Sequence, residues 1–240
     1  MNMPRFNWGF WSEPEPNINE RLVDVSRGKT IGGSSSINGM IYVRGNACDL
    51  DQWEELGAQG WGYRNCLPYY KKAENCAYGE DEYRGGGGPL HTCNGNGMKN
   101  PLYRAFIEAG GEAGYGITDD YNGYRQEGMC RMDMTVKNGV RCSTANAYLK
   151  PVMHRRNLTV LMHALTKRVV LEGKQVIGVE FERDGQTHIV KANREVVLSA
   201  GSIGSPHIMQ MSGIGPSQVL KNAGIEVVHE LPGVGANLHD

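Results

Sequence analysis

No two of the six cysteines, Cys48, Cys66, Cys76, Cys93, Cys130 and Cys142, stand at C-x-x-C spacing. That argues against a zinc or iron–sulfur site, and the cysteines read as reduced, mostly buried thiols. Charge of one sign is also lacking: 25 Lys and Arg against 26 Asp and Glu leave a net charge of −1. No global field draws such a chain to nucleic acid or to an acidic membrane. The short basic runs His154-Arg155-Arg156 and Lys167-Arg168 read as solvated surface. No apolar run approaches the roughly 20 residues of a spanning helix, and no secretory leader opens the chain. Internal repeats and low-complexity domains are absent. These absences leave a cytoplasmic protein, or one lying peripherally on the inner face of a membrane.

What the chain has in quantity is glycine, 33 of 240 residues, with a somewhat low apolar share of 40%. That balance suits a loop-rich ligand-binding protein better than a helical bundle. The stretch Arg27 to Asp51 concentrates it, with Gly28, Gly32, Gly33 and Gly39 around Ser34-Ser35-Ser36. Glycine lets a backbone pass close to a ligand, and free N–H groups in such a loop cradle an anion. The serines add hydroxyl donors. Alone, the run reads as readily as a flexible linker. Its flanks, RGKTI and INGMIYVRG, hold buried-type residues and fixed charges, which place it inside a fold.

Local pattern predicts a mixed α/β chain. Residues 6–26 are irregular, with a short strand at Arg21-Leu22-Val23. Helices are expected at Ser36 to Tyr42, Leu50 to Leu56 capped by Asp49, and 66–76 with Pro68 in its first turn. A short strand at Pro89 to Thr92 follows a glycine-rich turn, and a polar loop spans Asp119 to Gly128. Asn100 and Pro101 open a helix to Ala113 whose apolar side holds Leu102, Phe106, Ala109 and Ala113, weakened by Gly110 and Gly111. Ser143 caps a helix through Leu149, stopped at Pro151. Strands at 157–162, 167–171, 176–181 and 188–191 form an antiparallel meander. Glu195 to Leu198 then reads as a strand, Ser199-Ala200-Gly201 as a turn, and Ser205 to Met211 as a helix with Pro206 in its first turn. A last helix runs from Ser217 to Asn222. Met40, Met209 and Met211 read as core, His207 as a surface or core residue, and Arg44 as an ion-pair partner.

Two long runs carry a resemblance. Gly28 to Asn38 resembles the first signature of the glucose–methanol–choline oxidoreductases, and Gly201 to Gly215 the second. Asn7-Trp8 with the Glu-Pro pairs, Arg44-Gly45-Asn46 with Asp49 and Trp53, and Leu231 to Gly235 with Asn237 are similar to the choline dehydrogenase branch. The resemblance implies a partial FAD-binding, Rossmann-like domain with an antiparallel meander, plus part of a substrate-binding domain. Residues 1–65 and 151–240 fall to the first and 66–150 to the second. It implies FAD contacts at Thr30, Gly32, Gly33, Asn38, Gly39, Met40 and Ile41, at the Thr166 backbone, and at Ala200 and Gly201. Read without it, Asn38 satisfies its own loop and Thr166 is an ordinary strand residue.

The family oxidises alcohols by passing hydride to the flavin, with choline the expected substrate here and betaine aldehyde the product. Aromatic faces and a carboxylate would recognise its quaternary ammonium. Three departures stand out. No G-x-G-x-x-G follows a strand near the start. None of the seven histidines sits in the family's catalytic motif, His239 included, so the base is expected beyond Asp240. Ile37 occupies the position where some relatives attach FAD through His, which implies non-covalent flavin. With the aromatic run Asn7 to Trp11 at one end and no cap at the other, the chain reads as an internal piece. Other readings are a different alcohol as substrate, or a piece that is at best a weak flavin binder. A glycine-rich interaction domain without cofactor would require both signatures to be coincidence.

Overall fold

The computed structural model describes residues 3–94 and 98–238. The chain divides into two compact units, one up to Leu158 and one from Thr159.

The first unit opens with two short antiparallel strands, β1 (Phe10–Trp11) and β2 (Asp24–Val25), with Phe10 opposite Val25. The buried Asn7 amide ties their ends together, accepting from the Gly9 and Arg27 N–H groups and donating to Ser26 Oγ. The strand expected at Arg21–Val23 is displaced to β2, because pairing with β1 sets the register. The glycine stretch forms a single 3-10 turn, Gly33–Ser36. The helix expected from Ser36 to Tyr42 is absent: Ile41 bridges Met134 and the Tyr42 N–H reaches Asp133 O, so the chain leaves the turn extended.

Helix α1 spans Ala47–Glu55. Asn46 caps it by accepting the Cys48 N–H at 2.9 Å, and Asp49 sits in the first turn instead of capping. Helix α2 spans Tyr63–Ala73, earlier than the predicted 66–76. Pro68 therefore lies in its interior, where it removes one backbone bond. Residues 74–76 are not helical, because Glu74 turns extended to begin β3 (Glu74–Cys76). Strand β3 pairs in parallel with β4 (Leu90–Asn94), and β4 pairs antiparallel with β5 (Asp133–Met134). Strands β6 (Val136–Lys137) and β7 (Val140–Arg141) form a hairpin around Asn138-Gly139, both at positive φ.

Helix α3 spans Pro101–Glu112, capped by Asn100. Its apolar side is not the side that packs. Leu102 and Phe106 are 72% and 69% exposed. The Gly110–Gly111 side is the covered one, where an added Cβ would strike Met129 and Ile117 side chains. Ala145–Leu149 forms a π-turn that runs into a 3-10 turn, Lys150–Val152, so Pro151 continues the path and does not stop it.

In the second unit β8 (Leu165–Glu172), β9 (Gln175–Arg183) and β10 (Gln186–Lys191) form the predicted meander, in the order β10-β9-β8. The strands expected at 157–162 and 195–198 do not form, since no strand among the described residues pairs with them. Helix α4 spans Gly201–Met211, starting before the predicted Ser205 and leaving Pro206 inside it. Strands β11 (Ile214–Gly215) and β12 (His229–Glu230) pair in parallel, with α5 (Ser217–Asn222) between them. The buried Ser212 joins α4 to β8: its hydroxyl donates to Ile208 O and accepts the Val169 N–H.

The cysteines are all free, but only Cys76 and Cys142 are buried. Met211 is 45% exposed and not core; Met40 and Met209 are half-buried. The basic pair Lys167 and Arg168 is tied across the strands to Glu182 and Glu180.

Candidate functional site

Seven of the predicted residues, Thr30, Gly32, Gly33, Asn38, Gly39, Met40 and Ile41, lie on one loop of the first unit. That loop closes on itself. An added Cβ at Gly28 would sit 2.2 Å from Gly33 O, so only glycine permits the approach. Gly28 N–H donates to Ser34 Oγ and Gly33 N–H to Thr30 O. Ser35 and Ser36 turn their hydroxyl hydrogens inward, to Gly32 O and Ile31 O. These two serines therefore do not offer the outward donors expected from sequence. The donors come from the main chain: among the described residues nothing accepts the N–H of Ile31, Gly32 or Gly39. No heavy atom lies within 4 Å of a Cβ built at Gly33 or Gly39. The loop thus presents uncovered backbone and unpaired donors, the arrangement that receives an anion or a flat polar ring.

A second segment holds the loop. Thr144 Oγ1 donates to Gly32 O at 3.1 Å, and the Thr144 N–H donates to Ser35 Oγ. Arg141 Nη1 reaches both Ser35 O and Asn38 Oδ1. Residue type alone gave no sign of either contact, because more than a hundred residues of chain separate the partners. Met40 sits at φ +65°, a strained setting for a side chain with a Cβ, and its carbonyl is gripped by the Thr135 N–H.

Behind the loop lies a buried ion network. Arg44, 4% exposed, reaches the fully buried Glu74 at 2.5 Å. Arg84 contacts Glu74 at 3.1 Å, Asp133 at 2.6 Å and Asp120 at 3.2 Å. Thr92 Oγ1 donates to the second Glu74 oxygen, and Arg44 lies over the rings of Tyr42 and Tyr70. Burial alone would lower the Arg84 guanidinium, but the Glu74 and Asp133 carboxylates overcome it and hold the group above its ordinary value. Burial pushes the Tyr42 phenol up, against the pull of Arg44. Arg44 is thus the ion-pair partner predicted from sequence. A cavity of about 220 Å3 opens beside this network, lined by Glu80, Asp81, Asp119, Asp120 and Arg131 among others.

The remaining predicted residues lie in the second unit. Thr166 pairs with Phe181 in β8, beside a bulge that ends at Arg168. The outer edge of β8 carries no further strand among the described residues. Ala200 stands just before α4 with its N–H donating to Ser205 Oγ, and no atom comes within 4 Å of a Cβ built at Gly201. Along α4, Ser202, Pro206, His207 and Gln210 face Gly235 and Leu238 across a cavity of about 280 Å3. His207 is exposed. His239 lies outside the described residues. The described histidines include His91, held on Val136 O, and His188, stacked on Phe181.

A family model described as GMC oxidoreductase matches residues 15–240. An oxygen-dependent choline dehydrogenase of Photobacterium profundum is 57% identical over the whole chain, which covers 42% of that protein. One of Vibrio vulnificus is 56% identical over the whole chain, covering 43% of it. The chain therefore spans less than half the length of these curated relatives. Among solved structures, pyridoxine 4-oxidase from Mesorbium loti matches with a TM-score of 0.85 and 34% identity, over 95% of this chain and 45% of its own. An FAD-dependent oxidoreductase from Chaetomium thermophilum matches at 0.84 and 30%, over 95% of this chain and 42% of its own.

Proposed function

This chain belongs to the glucose–methanol–choline (GMC) oxidoreductase family, and from that premise we propose that it supplies flavin-receiving parts of an FAD-dependent alcohol dehydrogenase whose substrate is choline. The observation that carries the cofactor reading is the uncovered main chain at Gly33, Gly39 and Gly201, together with the unpaired N–H groups at Ile31, Gly32 and Gly39. A side chain at any of those glycines would fill the space a ring or a pyrophosphate needs. The residues present therefore fit FAD. Thr30, Gly32, Gly33 and Asn38 to Ile41 are the contacts we propose for it, with Thr166, Ala200 and Gly201 proposed as further contacts. Bound FAD would supply the ring that accepts hydride from the alcohol carbon. With Ile37 before Asn38, the loop offers no imidazole for a covalent link, so the flavin is held non-covalently. We assign the base that takes the hydroxyl proton to a histidine outside this chain. Residues 1–65 and 151–240 are assigned to the flavin domain and 66–150 to the substrate domain.

The choice of choline rests on the names and identity of the relatives, with betaine aldehyde as product. Turnover of choline by the full protein, with an artificial electron acceptor, should exceed turnover of aliphatic and aromatic primary alcohols. Faster turnover of any of those would remove the choline assignment and leave the flavin reading intact. No helix among the described residues is long and apolar enough to cross a membrane. Peripheral attachment to an inner membrane face is part of the same proposal, and flotation with anionic vesicles tests it.

A further inference from the structure

Asn38 has its amide oxygen committed twice. Oδ1 accepts the Met40 N–H at 3.1 Å and Arg141 Nη1 at 2.8 Å. Turning the amide over would set its NH2 against two donors, so this orientation is fixed. The same Arg141 nitrogen donates to Ser35 O at 3.1 Å, and so spans both ends of the turn that carries Ile37 and Asn38. Arg141 itself is placed by the β6–β7 hairpin, whose Asn138-Gly139 turn sets its register against Val136. Among the described residues no carboxylate pairs with Arg141. Its charge thus stays beside the loop, answered only by neutral oxygens. Asn38 is exposed, and nothing among the described residues takes its amide hydrogens.

We propose that Arg141 is a positioning residue for the flavin: it locks Asn38 so that the amide NH2 faces outward and donates to a ring carbonyl or ring nitrogen of the cofactor. This rests on the reading that FAD occupies the loop. Arg141 touches no flavin atom; it acts through Asn38. A ring acceptor bonded to that NH2 feels the donor directly, so losing it changes the flavin's visible spectrum as well as its affinity. A purely structural arginine would lower the melting temperature and leave the spectrum of bound flavin alone.

The test measures FAD dissociation and the visible spectrum of bound flavin in the full protein, for wild type, Arg141→Met, Asn38→Ala and the double variant. Each single change should weaken FAD binding about tenfold and shift the flavin bands the same way. The double variant should fall well short of the hundredfold that independent effects would give. Asn38→Asp is the second arm, and it leaves Arg141 untouched. Its carboxylate keeps both acceptor contacts and gains an ion pair, so the loop stays folded while the outward donor is lost. It should weaken binding by a similar factor without lowering the melting temperature of the FAD-free protein. Wild-type affinity and spectrum in Asn38→Asp or Arg141→Met, or fully multiplicative effects, would overturn the positioning role and leave the FAD reading standing. A wild-type protein that binds no FAD overturns both.

Discussion

Glu74 has none of its surface exposed and lies between two guanidinium groups, Arg44 and Arg84. Removing one partner of such a buried network leaves charge uncompensated and costs about 3–5 kcal/mol. Glu74→Ala should therefore unfold the first unit or lower its stability by that amount, as read by denaturant titration. Loss under about 1 kcal/mol would show that water reaches the network. Tyr121 gives a pH signature. Its hydroxyl donates to Tyr42 O and accepts the Asp133 N–H, and burial pushes its phenol up to about 12. The unfolded phenol titrates at about 10, so this tyrosine's contribution is fully present below pH ~10 and is lost as pH rises toward the folded value. Melting temperature should fall between those limits, with phenolate absorbance appearing alongside. Tyr121→Phe should flatten that fall while costing about 1 kcal/mol at neutral pH for the lost bonds.

At the scale of elements, Ser212 stands at the join between α4 and β8. Its hydroxyl is the acceptor for the buried Val169 N–H. Ser212→Ala would leave that donor unmet at a cost of about 1–3 kcal/mol, visible in the unfolding of the second unit. In the first unit the 3-10 turn and the π-turn Ala145–Leu149 meet at Gly32, where φ is +87° and a Cβ would stand 2.5 Å from Ser36 Oγ and 3.2 Å from Ala145 Cβ. Gly32→Ala should cost at least the ~1–2 kcal/mol of left-handed backbone, and it should weaken FAD binding because the turn must open. Unchanged affinity would detach this turn from the cofactor. Elements also mark where sequence patterns misled. Spacing gathers Leu102, Phe106, Ala109 and Ala113 along one side of α3, but two glycines let α3 approach Met129 and Ile117, so its bare backbone became the packed side. Close approach depends on the absence of a side chain, which a hydrophobic pattern does not register.

For the whole molecule, a ligand that binds only the folded state raises stability by mass action, about 2.7 kcal/mol at a hundredfold excess over its dissociation constant. Adding FAD to the deflavinated full protein should raise the melting temperature with FAD concentration. No shift at saturating FAD would contradict the proposed function. The glycine stretch, the two signatures, the meander, the cap at Asn100 and the span of the last helix were legible because each is a local matter of turn geometry, period or residue type. Arg44 as an ion-pair partner was legible too, though not its partner.

Sequence alone determined that Gly28 to Asn38 and Gly201 to Gly215 carry the family's pattern, since both depend on small residues placed close along the chain. Tertiary structure decided how those loops are used. It turned Ser35 and Ser36 inward, stopped a helix from forming after Ser36 by pairing Ile41 and Tyr42 with β5, and brought Arg141 onto Asn38. The last two outcomes depend on contacts between residues about a hundred positions apart, and no local periodicity encodes such a partner.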